Sequence, residues 1–195
     1  MTLIAQRNLS EYAHFGASPL RWSSGREFRD IGKLTIGIWG MGDIARHLLR
    51  MLKPLHPGRI LVFSNHCGEA ELAAAGARKA SSLEELLAQS DFISLHTPAI
   101  DGKPLINREN IAKMKDGVIF VNTSRGNNVD EEALLEGLNS GKIRGAGLDV
   151  YAEEPAKNEA LLNHPNVSCT PHIGAATKEA QKRIGMEIVS IIDNL

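Results

Sequence analysis

Residues 34–45 read Leu34-Thr35-Ile36-Gly37-Ile38-Trp39-Gly40-Met41-Gly42-Asp43-Ile44-Ala45. The first half is an uncharged run rich in β-branched and aromatic residues, the composition of a strand buried on both faces. The second half is a G-x-G-x-x-A turn that leads into 43–52, a segment of helix-forming residues. At such a junction each position has a mechanical duty. Gly40 permits the tight bend, Gly42 lets a pyrophosphate come up to the backbone, and the small Ala45 lets helix lie close on strand. A glycine turn by itself can bind nothing. Flanked by a strand, a helix and a second apolar run that ends at Phe63, it becomes the phosphate-binding turn of a dinucleotide fold, with Gly40 and Gly42 as cofactor-binding candidates.

The same alternation repeats along the rest of the chain. Apolar runs at 59–63, 91–95, 117–122, 145–150 and 166–170, with a very short one at 77–79, are flanked by Gly, Pro, Asn or Ser. Between them, 68–75, 83–89, 108–114 and 131–139 have helical spacing or propensity. The pattern predicts an α/β architecture, a Rossmann-type doubly wound parallel sheet in three layers. Local signals agree. Ser81 and Ser82 precede Glu84 and Glu85 as in a capping box, Asp130 stands at the N-cap of 131–139, and Gly141 stands where that helix must end. The Gly, Ser and Pro content of 16–26 predicts a loop leading from an opening helix into the first strand.

Composition narrows the function classes. In 195 residues, 43% are hydrophobic and 23% charged, with 22 Lys plus Arg against 23 Asp plus Glu. That balance excludes disordered and fibrous classes and offers no broad attraction for a phosphate backbone, so nucleic acid is not an expected partner. Cys67 and Cys169 are too few for a disulfide framework and lack zinc-ligand spacing, which predicts free thiols in a reducing compartment. His14, His47, His56, His66 and His164 are scattered without paired metal-ligand spacing, and no metal is expected. Residues 1–7 lack the apolar run of ~7 to 15 residues of a signal peptide, and no stretch reaches the ~18 residues of a membrane span. A cytoplasmic location without membrane contact is the expectation.

In an open parallel sheet, ligands bind beyond the carboxyl ends of the strands, so the polar residues there are the candidates for chemistry. Where an acidic residue would grip the ribose 2′-hydroxyl, the second strand ends in Ser64-Asn65-His66. No carboxylate there repels a 2′-phosphate and no Arg grips one, so NAD and NADP both stay open. Asp43 is unfavourable beside a pyrophosphate unless its carboxylate points to solvent. Later strands end in Asn122-Thr123-Ser124-Arg125-Gly126, in Asp149 with Glu154-Pro155 five residues on, and in Thr170-Pro171-His172-Ile173-Gly174. An Arg so placed can grip a carboxylate or a developing oxyanion, and a His titrates near neutrality.

These blocks resemble, in order, the NAD(P)-binding domain of the D-isomer-specific 2-hydroxyacid dehydrogenases. They are the Gly40 turn, Ser124-Arg125-Gly126 with Val129-Asp130-Glu131, Leu148-Asp149-Val150 through Glu153-Glu154-Pro155, and Pro171-His172-Ile173-Gly174. The stretch from Thr170 to Gln181 looks most like the D-3-phosphoglycerate dehydrogenase branch.

The resemblance implies an oxidoreductase acting on the CH–OH group of a D-2-hydroxyacid of phosphoglycerate, glyoxylate or hydroxypyruvate type. His172 would be the acid/base, Glu154 its partner and Arg125 the substrate-binding cation. It also implies that Asp43 and Ile44 lie at the pyrophosphate, Ser64 and Thr97 on the ribose sides and Asp149 at the nicotinamide carboxamide. Thr123, Ser124, Arg125, His172 and Gly174 would line the cofactor as well. His96, beside Thr97-Pro98, is expected to act through its backbone rather than as a second base, and Trp39 to pack against the covering helices. The expected organisation is a nucleotide domain over 28–174 between partial inter-domain helices at 1–27 and 175–195, without the family's substrate domain. Little turnover is then expected of the chain alone. Apolar faces at 1–13 and 184–195 predict a homodimer. The competing reading is a catalytically silent dinucleotide-sensing or dimerisation module, against which the joint presence of Arg125, Glu154 and His172 counts.

Overall fold

The computed structural model describes residues 30–99 and 102–194. The expectations for 1–29, including the opening helix, the loop at 16–26, His14 and the apolar face at 1–13, lie outside the described residues.

Seven parallel strands form one sheet: β1 Thr35–Trp39, β2 Arg59–Phe63, β3 Arg78–Lys79, β4 Phe92–Leu95, β5 Val118–Asn122, β6 Ile143–Leu148 and β7 Val167–Cys169. Their spatial order is β3-β2-β1-β4-β5-β6-β7, so the chain reverses its direction of travel between β1 and β4. The helices are α1 Asp43–Leu52, α2 Glu69–Ala74, α3 Leu83–Gln89, α4 Arg108–Lys113, α5 Glu131–Asn139, α6 Glu159–Leu162 and α7 Lys178–Asp193. Short 3-10 turns occupy Ile31–Lys33, Lys53–Leu55 and Gly126–Asn128.

Alternation along the strands divides the core between the two faces of the sheet. On one face Trp39, Leu61, Ile93, Leu95, Phe120 and Leu148 pack with Leu86 and Leu87 of α3, Ile111 of α4 and Leu134 and Leu138 of α5. On the other, Ile36, Ile38, Ile60, Val62 and Val121 pack with Ala45, Leu49 and Leu52 of α1 and Leu72 of α2. Trp39 meets the α3 side of the sheet, as its bulk suggested, and also stands edge-on to Phe63 with ring centroids 6.5 Å apart.

Helix ends follow the chemistry read from the sequence. Ser82 accepts from the Glu85 amide, and Asp130 accepts from the Ala133 amide. The capping box is displaced by one residue. The Glu85 carboxylate reaches past the N-cap to the backbone N–H and hydroxyl of Ser81, and also takes an ion pair from Arg78. Those donors hold the Glu85 carboxyl at a pKa of about 2, the Arg78 hydrogen bond counting most. Gly141, with φ +78°, follows α5 at the left-handed position that a helix stop requires.

Helix α6 has no counterpart in the sequence reading. Its four residues are too few for a periodic signal, and it exists because the Asn158 side chain caps the Leu161 amide while Leu161 is buried against the core. Strand β6 starts at Ile143 rather than 145. It also ends at Leu148, because Asp149 and Val150 leave the ladder. Helix α7 keeps Ile184, Met186, Ile188, Val189, Ile191 and Ile192 exposed, at 44 to 63% of their surface. Among the described residues no helix is long and apolar enough to cross a membrane.

Candidate functional site

One line of register crosses the sheet at its carboxyl rim. Phe63 pairs with Trp39, Trp39 with Leu95, Leu95 with Asn122, Asn122 with Leu148, and Leu148 with Cys169. The candidates from the sequence are the residues that leave this line: Ser64, Gly40, Thr97, Thr123 to Arg125, Asp149, and His172. Parallel pairing therefore gathers on one rim what the sequence spreads over more than a hundred positions.

Gly40 and Gly42 have different reasons to be glycine. Gly40 has φ +97°, and a Cβ there would sit 2.6 Å from the His96 carbonyl oxygen, so the turn is pressed against the end of β4. Gly42 has an ordinary extended backbone, φ −89° and ψ −172°, and a Cβ there would meet nothing within 4 Å. Among the described residues, space lies open over Gly42 and no side chain caps the first-turn N–H groups of α1. Backbone donors at an uncapped helix start, under open space and in the field of the helix, fit a dinucleotide pyrophosphate. The Asp43 side chain is 92% exposed and 3.6 Å from Arg46 Nη1, so its carboxylate points to solvent, as a pyrophosphate neighbour requires. Ile44 is 67% exposed beside it.

Ser64 is buried, and its hydroxyl accepts from the His66 amide, shaping the loop that would meet the ribose. Asn65 and His66 are exposed, and the Lys79 ammonium donates to the Cys67 carbonyl beneath that loop. On the other side of the chain reversal, Thr97 follows His96. His96 is partly buried, its Nε2 is 2.8 Å from Ser94 Oγ, and loss of solvent pushes its pKa down to about 4. It is thus a neutral, structurally engaged imidazole whose backbone supports Gly40.

The turn after β5 is built by a residue to which the sequence reading gave no role. Asn122 is fully buried; its Oδ1 accepts from the Ser124 amide and hydroxyl, and its Nδ2 donates to the Arg125 carbonyl. Arg125 is exposed at the tip, with Nη1 donating to the Ser124 carbonyl, and Thr123 is exposed beside it. Asn128, also buried, donates from Nδ2 to Thr97 Oγ1 and the Pro98 carbonyl, tying this turn to the end of β4. The only signal for either Asn in the sequence is its position flanking Ser124-Arg125-Gly126.

His172 and Glu154 are in direct contact, with Nδ1 2.7 Å from Oε2. A carboxylate only accepts, so Nδ1 carries a proton and Nε2 is the nitrogen left for other work. The hydrogen bond from His172 holds the Glu154 carboxyl below its usual range. Both side chains are about half exposed, at 50% and 40%, open to a molecule arriving over the rim. His172 adopts φ +52°, a left-handed conformation rare outside glycine. That conformation turns the next two amides onto one acceptor. Asp149, 4% exposed, takes the Ile173 N–H and the Thr170 hydroxyl on Oδ1 and the Gly174 N–H on Oδ2. The carboxylate that the resemblance placed at the cofactor carboxamide is directed into the loop that carries the histidine.

The family model for the D-isomer specific 2-hydroxyacid dehydrogenase NAD-binding domain matches residues 1–174. The chain belongs to this family. It is 46% identical over 167 residues to a hydroxypyruvate reductase of Thermotoga maritima, covering 83% of this chain and 52% of that protein. To the D-3-phosphoglycerate dehydrogenase of Rattus norvegicus it is 42% identical over 161 residues, 82% of this chain and 30% of that protein. Among solved structures it superposes on a glyoxylate reductase from Paecilomyes thermophila with a TM-score of 0.75 at 39% identity, covering 85% of this chain and 50% of that one. The chain therefore spans about half, or less, of the length of these relatives. Their names divide between hydroxypyruvate and phosphoglycerate chemistry, so the likeness extends to the family and not to the phosphoglycerate branch in particular.

Proposed function

We propose that this chain is the cofactor-binding and acid/base portion of an NAD(P)-dependent dehydrogenase for a D-2-hydroxyacid of hydroxypyruvate, glyoxylate or phosphoglycerate type. The observation that carries this is the His172–Glu154 pair on the same strand-end rim as an uncapped glycine turn with open space over Gly42. When bound, the dinucleotide supplies or accepts the hydride at the substrate's second carbon. Every other duty falls to side chains of this chain. His172 passes the proton between Nε2 and the oxygen on that carbon, and Glu154 fixes the ring through Nδ1. Arg125, exposed at the tip of its turn, grips the acid and offsets negative charge developing on the oxygen. Gly42, with the first-turn amides of α1, receives the pyrophosphate, while Ser64 and Thr97 line the ribose sides.

Among Ser64, Asn65 and His66 there is no carboxylate to repel a 2′-phosphate and no Arg to grip one, so both NAD and NADP stay open. We propose further that the exposed apolar residues of α7 make a homodimer contact, since six large apolar side chains stand exposed along this one helix. Light scattering showing a monomer at micromolar concentration would contradict that. The principal test is calorimetric titration of the 195-residue chain with NADH and with NADPH. Binding of at least one is expected, and binding of neither would overturn the proposal.

A further inference from the structure

Tyr151 is the first residue after Val150, 8% exposed, and three different parts of it touch three different parts of the rim. Its hydroxyl donates to the Thr170 carbonyl at 2.9 Å and is 3.3 Å from the Leu148 carbonyl; Thr170 stands two residues before His172. Its amide N–H donates to Glu154 Oε1 at 3.3 Å, the oxygen that His172 leaves free. Its carbonyl lies against Gly126, where a Cβ would fall 1.8 Å from the oxygen, a distance no side chain could accept. Gly126 is the residue after Arg125.

We propose that Tyr151 is a positioning residue that sets the acid/base pair and the anion-gripping arginine in one fixed relation. The inference rests on the roles given above to His172 and Arg125. Its physical content is separate from them. The loop after β7 and the turn after β5 are joined by no strand pairing of their own, since β5 and β7 lie on opposite sides of β6. Tyr151, leaving the end of β6, contacts both. Asp149 fastens the loop at Thr170, Ile173 and Gly174, and its amide donates to the Asn122 carbonyl at the base of the Arg125 turn; Tyr151 adds a close contact at Gly126, on the far side of Arg125, and its amide holds Glu154. Ala152, the next residue, donates its amide to Glu131 at the start of α5, which stops this segment from sliding along the rim. Burial is the largest influence on the phenol, raising its pKa, so the hydroxyl keeps its proton and remains the donor to Thr170 across the working range of pH.

The test is Tyr151→Phe, which keeps the buried ring and removes only the hydroxyl. In the 195-residue chain, amide exchange at His172, Ile173 and Gly174 should quicken about 10-fold, the worth of one ordinary hydrogen bond. The proton NMR signal of His172 Nδ1–H should move or broaden, while exchange in α5 stays near wild type and the melting midpoint falls by no more than about 3–5 °C. A purely space-filling Tyr would leave the Nδ1–H signal where it was. Unchanged exchange and an unchanged Nδ1–H signal would overturn the positioning role. NADH and NADPH titration of the wild-type sample separates this from the larger reading, because failure to bind either overturns the dehydrogenase proposal whatever Tyr151→Phe does.

Discussion

The two glycines of the phosphate turn should fail in opposite ways when given side chains. For Gly40→Ala, the new Cβ meets the His96 carbonyl oxygen at 2.6 Å and the Thr97 amide nitrogen at 3.0 Å, both backbone atoms that cannot rotate away. The residue must also hold φ +97°, which costs an L-residue about 1–2 kcal/mol before any clash is counted. Forcing the β1 and β4 ends apart adds a similar amount, so the loss should be about 2–4 kcal/mol. For a domain of this size that is a fall in Tm of roughly 5–15 °C. Gly42→Val faces no such obstacle. Its backbone is one any residue adopts, its Cβ meets nothing, and replacing an N-cap glycine costs less than about 1 kcal/mol. Yet its isopropyl group occupies the space proposed for the pyrophosphate, and dinucleotide affinity should fall at least ~100-fold, about 2.7 kcal/mol. Thermal melts with and without NADH, beside calorimetric titration, separate the two. At a hundredfold excess over Kd the wild type gains about 2.7 kcal/mol from the ligand, a rise Gly42→Val should lack at equal ligand concentration. A Gly42→Val chain that binds like wild type, or a Gly40→Ala chain that melts like it, would refute the reasoning.

Two further outcomes follow from buried groups. Asp149→Asn leaves an amide NH₂ facing groups that need an acceptor, and should cost about 2–4 kcal/mol in urea unfolding; a loss below ~0.5 kcal/mol would show that the loop does not depend on the carboxylate. His96 is neutral in the fold, with its pKa pushed down to about 4 by burial, against an ordinary 6.5. The folded state therefore binds fewer protons than the unfolded chain between those values, so stability is full above pH 6.5 and declines as pH falls toward 4. The decline attributable to His96 is on the order of 3 kcal/mol, and a His96→Gln chain that shows the same acid slope as wild type would remove this explanation.

The fold was legible because its signals are local and redundant. Each strand of the core is an apolar run closed by a turn residue, and helices α1, α3 and α5 have the bounds that their propensities, caps and stops predict. What escaped was whatever lacked a period. Helix α6 is one turn long, and β6 is diluted by Gly145 and Gly147, so its edges blurred in both directions. Strand order was legible only in type. Nothing local states that β1 lies beside β4, and that adjacency comes from burying Gly37, Ile38 and Trp39 against Ile93, Ser94 and Leu95 in register.

The site divides along a different line. Arg125, Glu154 and His172 stand out in the sequence as charged or titratable residues in the segments that follow strand ends, and the family resemblance is what gives each of them a role. Asn122, Asn128 and Tyr151 do not stand out, because their partners are mostly backbone atoms, with two hydroxyls, of turns whose shapes exist only once the sheet has formed. Asp149 shows where the boundary falls. Period-two alternation states which way a side chain faces up to Leu148, the last rung paired with β7, and not one residue beyond. Past that rung the direction of Asp149 depends on where the 170–174 amides lie, and the left-handed conformation of His172 accompanies their bonds to Asp149. Residue and loop determine each other, so neither could be placed from its own stretch of sequence, and the loop that carries the histidine is shaped by the same carboxylate that takes its amides.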